Sequence, residues 1–240
     1  MSGKSFIRKA SDLSPVLFVP STDKRAIYEV EREQNDPEEQ GLLQKLKIRY
    51  DITTIFPGLI GNELPKTFGH YHPRNLSGVA YPEIYEVIEN RAWYLIQRPN
   101  KNQPKVIEEV YLIETKQNEK ALIPPGFGHV TINPENKNLV MANFVANGFD
   151  FDYQTYENLR GSAYYLLHAD KDELVRLEKN SYYDKVPEII KLKPKEIPEL
   201  GITWDVPLYD MIKKPETLDF LIHPEKYLEL LTIKNCFTKI

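Results

Sequence analysis

His70 and His72, in the run Gly69-His70-Tyr71-His72, are the residues best placed to do chemistry. Side chains at i and i+2 project from the same face of an extended strand, so the two imidazoles point together into whatever that face covers. Glu83 follows in Tyr81-Pro82-Glu83-Ile84-Tyr85, and His129 in Pro124-Pro125-Gly126-Phe127-Gly128-His129 can complete a set of four. Neutral imidazoles with one carboxylate suit Fe, Mn, Zn, Ni or Co, and four protein ligands can leave positions open for substrate or water. Three of the five histidines fall in these two settings, which weighs against coincidence. His168 and His223 read as ordinary histidines with satisfied hydrogen bonds. Glu83 shares its strand face with Tyr85 and Val87.

The elements that must position these groups read as strands. Residues 25–30 and 46–55 are extended, with Ile48, Tyr50 and Ile52 alternating before the β-branched run Thr53-Thr54-Ile55. Residues 35–41 form a polar turn between them, and Pro57-Gly58 punctuates the chain. Residues 83–97 hold two apolar runs broken at Glu89-Asn90-Arg91, the pattern of a β-hairpin, with Asn90 in the left-handed conformation that Gly would otherwise fill. Short strands over 106–114, 120–123, 129–132 and 138–145 continue at roughly even spacing, so the middle of the chain is an all-β sandwich or barrel. Residues 161–167 add one further strand. Pro187, Pro194, Pro198, Pro207, Pro215 and Pro224 then recur, which disfavours long helices and central strands. That tail is expected to wrap the core, with short helices over 207–212 and 215–221. The expected organisation is an N-terminal extension (1–24), a β-barrel (25–165) and a C-terminal wrapping tail (166–240).

The 240 residues carry a net charge of -4 with both signs interspersed, so the basic concentration needed to bind a nucleic-acid backbone is missing. Cys236 is the only cysteine and has no obvious base partner in the tail, which predicts an inert thiol and no internal disulfide. Residues 1–9 lead into no apolar run of the signal-peptide kind, and no segment approaches the length of a membrane span. A soluble, cytoplasmic protein without a membrane partner is expected.

Gly69-His70-Tyr71-His72 through Glu83, followed by Pro124-x-Gly126-x-x-His129-x-x-x-Asn133, resembles the paired motifs of the cupin superfamily. The resemblance implies a small double-stranded β-helix, or jelly-roll barrel, that holds a metal with three histidines and a glutamate. Asn90 stands where the first motif commonly ends in Gly, and the gap between His72 and Glu83 is longer than usual; neither departure removes a ligand. More narrowly, Thr67-Phe68-Gly69-His70-Tyr71-His72 with Glu83-Ile84-Tyr85 resembles the Thr-x-Gly-His-x-His and Glu-x-Tyr pattern of the cupin-type, metal-dependent glucose-6-phosphate isomerases of archaea and some bacteria. The 161–167 segment and the proline-rich tail are similar to the longer bacterial branch.

That resemblance implies one divalent ion per chain (Fe, Mn, Zn or Ni) on His70, His72, Glu83 and His129, and a sugar-phosphate substrate. Tyr85 would line the sugar pocket, Thr53, Thr67 and the backbone of Gly69 would hold the phosphate, and Tyr153 falls near a pocket tyrosine. Phe151 stands closest to the place of a histidine found in archaeal members. Hydroxyls and backbone amides solvate a phosphate without a basic patch, so an acidic protein is compatible with this substrate. The implied activity is the reversible conversion of glucose 6-phosphate to fructose 6-phosphate, a step of glycolysis and gluconeogenesis. Glu83 would shuttle a proton between C1 and C2, and Tyr85 would orient a sugar hydroxyl or relay the ring-opening proton. Proton transfer through a cis-enediol and a direct hydride shift both stay open. A cupin dioxygenase and a non-catalytic sugar-phosphate-binding cupin would use the same ligands, and mannose 6-phosphate is a conceivable second substrate. Open sheet edges, together with the resemblance, lead to the expectation of a homodimer.

Overall fold

β-Branched and aromatic runs become strands where a neighbouring sheet can cover them. The computed structural model describes residues 5–169 and 175–240. Among these residues the strands are β1 (Ser5–Lys9), β2 (Ala26–Glu31), β3 (Ile48–Ile55), β4 (Glu83–Glu89), β5 (Arg91–Pro99), β6 (Ile107–Lys116), β7 (Lys120–Ile123), β8 (Gly128–Ile132), β9 (Leu139–Ala146), β10 (Tyr164–His168), β11 (Val175–Lys179), β12 (Ile190–Pro194) and β13 (Phe237–Lys239). One sheet runs β1-β2-β3-β9-β4-β7, a second runs β13-β12-β6-β5-β8, and β10 pairs with β11. Residues 66–70 take the place beside β8, where Lys66 bridges Ile132 and His70 bridges His129.

The core of the barrel is therefore β3-β9-β4-β7 facing the 66–70 segment, β8, β5 and β6. From β3 to β9 the chain changes sheet at every connection except the β5–β6 hairpin. This is the strand order of a jelly roll, the cupin barrel.

Residues 83–97 are not a hairpin. β4 pairs with β7 and β9, whereas β5 pairs with β6 and β8. Asn90 does take the left-handed conformation, at φ 68°, but there it turns the chain from one sheet to the other. Two apolar runs around a turn look alike in both arrangements; what differs is that the first five residues of β4 are buried without alternation, which needs cover on both faces. The expected strand at 46–55 starts at Ile48, because Gln40–Leu46 is helical and Lys47, at φ 57°, ends that helix.

The tail covers the outer face of the first sheet. The Tyr209 ring lies 4.8 Å from Tyr50 and is stacked 6.4 Å from Phe144. Lys120 Nζ sits 3.0 Å from Glu86 and donates to the Thr203 carbonyl, while the Leu208 amide donates to Glu86. Removing one partner of such a buried pair leaves an uncompensated charge, at a cost of about 3–5 kcal/mol. Short helices form at Leu208–Lys213 and Pro215–Leu221, and the tail strand β12 lies parallel to β6. Cys236 is buried, and burial pushes its thiol up to about 12. Among the described residues no helix is long and apolar enough to cross a membrane.

Candidate metal centre and adjoining cavity

The barrel brings the four predicted donors together from three stretches of chain. His70 is locked to β8 by reciprocal backbone hydrogen bonds with His129, at 3.2 and 3.1 Å. The His70 and His72 rings stack with centroids 5.1 Å apart, as two side chains on one face of an extended segment should. Glu83 enters from β4 and His129 from β8. One ligand atom from each of the four residues lies within 4.8 Å of all the others.

The separations suit an ion. His70 Nε2 and His72 Nε2 are 3.1 Å apart, and Glu83 Oε2 lies 3.2 Å from His72 Nε2, 3.1 Å from His129 Nε2 and 3.9 Å from His70 Nε2. Around a centre with bonds near 2.0–2.1 Å, neighbouring donors sit roughly 3.0–3.4 Å apart. Glu83 Oε2 is buried and makes no hydrogen bond, the expected state of an oxygen reserved for a cation. His72 Nδ1 lies 2.9 Å from the Tyr81 carbonyl oxygen, which only accepts, so Nδ1 carries the proton and Nε2 presents a lone pair. These residues can hold a metal ion.

The surroundings keep the donors in the right charge state. Burial, then the His129 imidazole, pushes His70 down to about 3, and burial likewise lowers His129. For Glu83, burial acts upward, but the surrounding His129, His70 and His72 rings outweigh it and hold the carboxyl well below its usual range. The outcome is neutral His70 and His129 imidazoles beside a carboxylate. Asn143 Nδ2 donates to Glu83 Oε1 at 2.7 Å, so one oxygen is fixed and the other is left for the cluster. Asn143 stands opposite Tyr85 on β9. Nothing in its own sequence setting marks it; only strand register does.

The Tyr85 hydroxyl lies 3.0 Å from His129 Nε2, and burial followed by the Glu83 charge keeps it neutral, far above its usual range. Phe151 packs on His70 and His72 at centroid distances of 4.2 and 5.0 Å, and Phe149 stacks on Tyr81 at 4.9 Å. This aromatic wall covers part of the cluster and leaves the His70 side chain 15% exposed.

A cavity of about 60 Å³ opens beside the cluster. Its lining contains Thr53, Thr67, Gly69, Tyr85 and Tyr153, together with His70 and Glu83. Thr67 Oγ1 accepts from the Thr131 amide at 3.0 Å, so its own proton is free to be donated. Gly69 has φ 86°, and a Cβ there would lie 2.5 Å from Val130 Cγ2 and 2.6 Å from Tyr156 Cε1; no other residue fits. The wall also includes Arg32, Arg49 and Asp51, which sequence reasoning missed. Arg49 Nε pairs with Asp51 at 2.7 Å. The composition shows no concentration of basic residues, yet the sheet gathers Arg32 and Arg49 on one wall of the cavity.

A family model described as glucose-6-phosphate isomerase (GPI) matches residues 7–184, about three quarters of the chain. The chain belongs to the glucose-6-phosphate isomerase family. Every donor and every cavity residue from Thr53 to Tyr153 lies inside the matched region. The glucose-6-phosphate isomerase of Thermococcus litoralis is 26% identical over 160 residues, 64% of this chain and 76% of that protein. That of Thermococcus onnurineus (strain NA1) is 29% identical over 136 residues, which span 54% of this chain and 63% of that one. Among solved structures, a recombinant oxalate oxidase in complex with glycolate matches 49% of this chain and 50% of its own, at 18% identity and a TM-score of 0.37. An oxalate decarboxylase from Bacillus subtilis matches 50% of this chain and 25% of its own, at 15% identity and a TM-score of 0.36. Such partial overlaps add nothing to the strand order as evidence of fold.

Proposed function

We propose that this enzyme interconverts glucose 6-phosphate and fructose 6-phosphate with a divalent ion on His70, His72, Glu83 and His129. The observation that carries the reading is that the residues expected to hold metal, sugar and phosphate line one site in a member of this family. When bound, the ion supplies Lewis-acid stabilisation of negative charge developing on a sugar oxygen. Glu83, ionised and steered by Asn143, takes a proton from one carbon and returns it to its neighbour. A carboxylate held tightly by a cation is a poor base, so Glu83 would serve in this role only where its bond to such an ion is weak. Tyr85, kept neutral, donates to a sugar hydroxyl or to the ring oxygen as the ring opens. Phe151 and Phe149 narrow the access of water to the exchanging proton without closing it off. Thr53 and Thr67 hydroxyls and the Gly69 amide contact the phosphate, and Tyr153 borders the sugar.

The cavity has room for only a few waters, so substrate entry requires its walls to move outward. The same reading carries a homodimer in the cytoplasm, to be checked by light scattering and cell fractionation. The deciding experiment strips the protein with a chelator, restores Fe, Mn, Ni or Zn separately, and follows conversion of fructose 6-phosphate in a coupled assay. Turnover restored by one of these ions supports the reading. A folded, metal-loaded protein without turnover refutes it; oxygen uptake would then point to a dioxygenase, and phosphate binding with an unchanged isomer ratio to a binding module. Solvent deuterium appearing at C2 supports the proton shuttle, and complete retention of substrate hydrogen rejects it.

A further inference from the structure

Arg32, just after β2, lines the cavity, and Arg8 on β1 lies against two of its lining residues, Phe6 and Phe68. Phe6 and Arg8 share a face of β1; Phe6 stands opposite Val30 and Arg8 opposite Tyr28, and Val30 in turn faces Thr53 on β3. Thr53 stands opposite Met141, and Met141 opposite Val87, which shares a face with Tyr85 and Glu83. One continuous sheet face therefore runs from Arg8 to the candidate metal ligand. The Phe6 ring has Arg8 Cζ 5.8 Å and Arg32 Cζ 5.2 Å from its centroid, and Arg8 also lies 5.7 Å from the Phe68 ring.

Neither arginine is paired with an acid, although Arg8 acts on the Tyr28 hydroxyl across the sheet. The Nε atoms of Arg8 and Arg32 are buried without a hydrogen-bond partner, and among the described residues neither guanidinium has a carboxylate within 4.0 Å. Asp51, the acid of this end of the cavity, is already bonded to Arg49 Nε and accepts from the Glu33 amide at 3.1 Å. That second bond fixes the turn after Arg32, where Glu33 has φ 57°. Three arginines against one aspartate leave two positive charges at this end, the charge a phosphate monoester dianion neutralises. The Tyr153 hydroxyl, raised chiefly by burial, is pulled back by Arg32, Arg8 and Arg49, so all three act on the same space.

We propose that Arg8 and Arg32, sharing the Phe6 ring, bind the phosphoryl end of the substrate and make β1 part of the active site. The identity of the sugar end rests on the isomerase reading; the anion end stands on the arginines. The Thr53 and Thr67 hydroxyls and the Gly69 amide supply short, oriented contacts, and the arginines supply charge. Such a site selects phosphorylated over free sugars.

The test is calorimetric binding of inorganic phosphate, and separately of fructose 6-phosphate and fructose, to the full-length protein. Arg8→Met and Arg32→Met keep the aliphatic stem over the aromatic rings; Arg8→Lys and Arg32→Lys keep the charge; Arg176→Met is the surface control. Each Met variant should weaken phosphate and fructose 6-phosphate binding roughly tenfold or more, with partial rescue by Lys and no change for the control. In turnover the loss should appear as a raised KM with kcat largely kept. Phosphate affinity within twofold of the parent in both Met variants, with unfolding midpoints unchanged, overturns the proposal, as does an equal loss for unphosphorylated fructose. If a Met variant fails to fold, the corresponding Arg8→Gln or Arg32→Gln variant decides: a tenfold or greater loss of phosphate affinity at unchanged folding supports the proposal, and affinity within twofold of the parent overturns it. Absent isomerase activity in the parent would refute the proposed function, while the phosphate titration would still decide the arginines.

Discussion

Loading the candidate metal centre should raise the unfolding temperature by an amount set by the geometry of its donors. His70 and His72 come from the segment beside β8, Glu83 from β4 and His129 from β8, so the full set exists only when both sheets are assembled. An ion held by all four binds the native state, whereas the unfolded chain retains only the local His70–His72 pair. At a free ion concentration about 100 times Kd, linkage gives about 2.7 kcal/mol. For a domain of this size 1 kcal/mol moves Tm by about 2–4 °C, so the expected rise is about 5–11 °C over the chelator-treated protein. His129→Ala removes the donor that ties β8 to the cluster. If Kd then weakens about 100-fold, the same ion concentration contributes only about 0.4 kcal/mol, a rise of about 1 °C. The assay is a differential scanning melt of both proteins, with chelator and with each of Fe, Mn, Ni and Zn. An equal rise in both would show that the ion binds elsewhere. No rise in the parent with any ion would refute the metal centre.

Glu83→Gln should lower turnover by roughly 10²–10⁴-fold while metal content by mass spectrometry persists, and near-parental activity would reject its role as base. Chelator-treated protein should lose stability on acidification: His70 binds its proton near 3 in the folded state and near 6.5 unfolded, so the unfolded chain binds more protons between those values. Glu83, depressed by its imidazole neighbours, acts in the same direction at lower pH. Urea midpoints should therefore fall from pH 7 towards pH 4, and a flat profile would contradict the buried, neutral imidazole. Gly69→Ala should cost about 2–5 kcal/mol by denaturant titration, from left-handed backbone strain together with the contacts to Val130 and Tyr156; a change below 0.5 kcal/mol would mean that the segment moves freely.

The donors were legible because their chemistry is local: two histidines at i and i+2 announce a shared face, and Glu83 and His129 sit in recognisable short motifs. The strands from 106 to 145 were legible for the same reason, since alternation and turn residues act over a few positions. Pairing was not. Asn90 was read as a left-handed turn, which it is, but nothing near it records that β4 belongs with β9 and β5 with β8. Asn143 and the arginines were invisible on the same ground, because each matters through the residue across the sheet. Arg32 lies among acids in sequence, and strand alternation sends Glu29 and Glu31 to the face opposite that of Tyr28 and Val30.

The alternation of the chain between sheets sets an order of events during synthesis. β3 is paired along its whole length with β9, Ile48 opposite Ala146 and Ile55 opposite Leu139. On the ribosome β3 must therefore wait, with only β2 beside it, until nearly the entire barrel has emerged. Glu83 waits as well, because its strand lies against β9 too. A metal ion then cannot nucleate folding. It can only seal a barrel that has already closed, which makes the emergence of β9, rather than metal supply, the step that first creates the site.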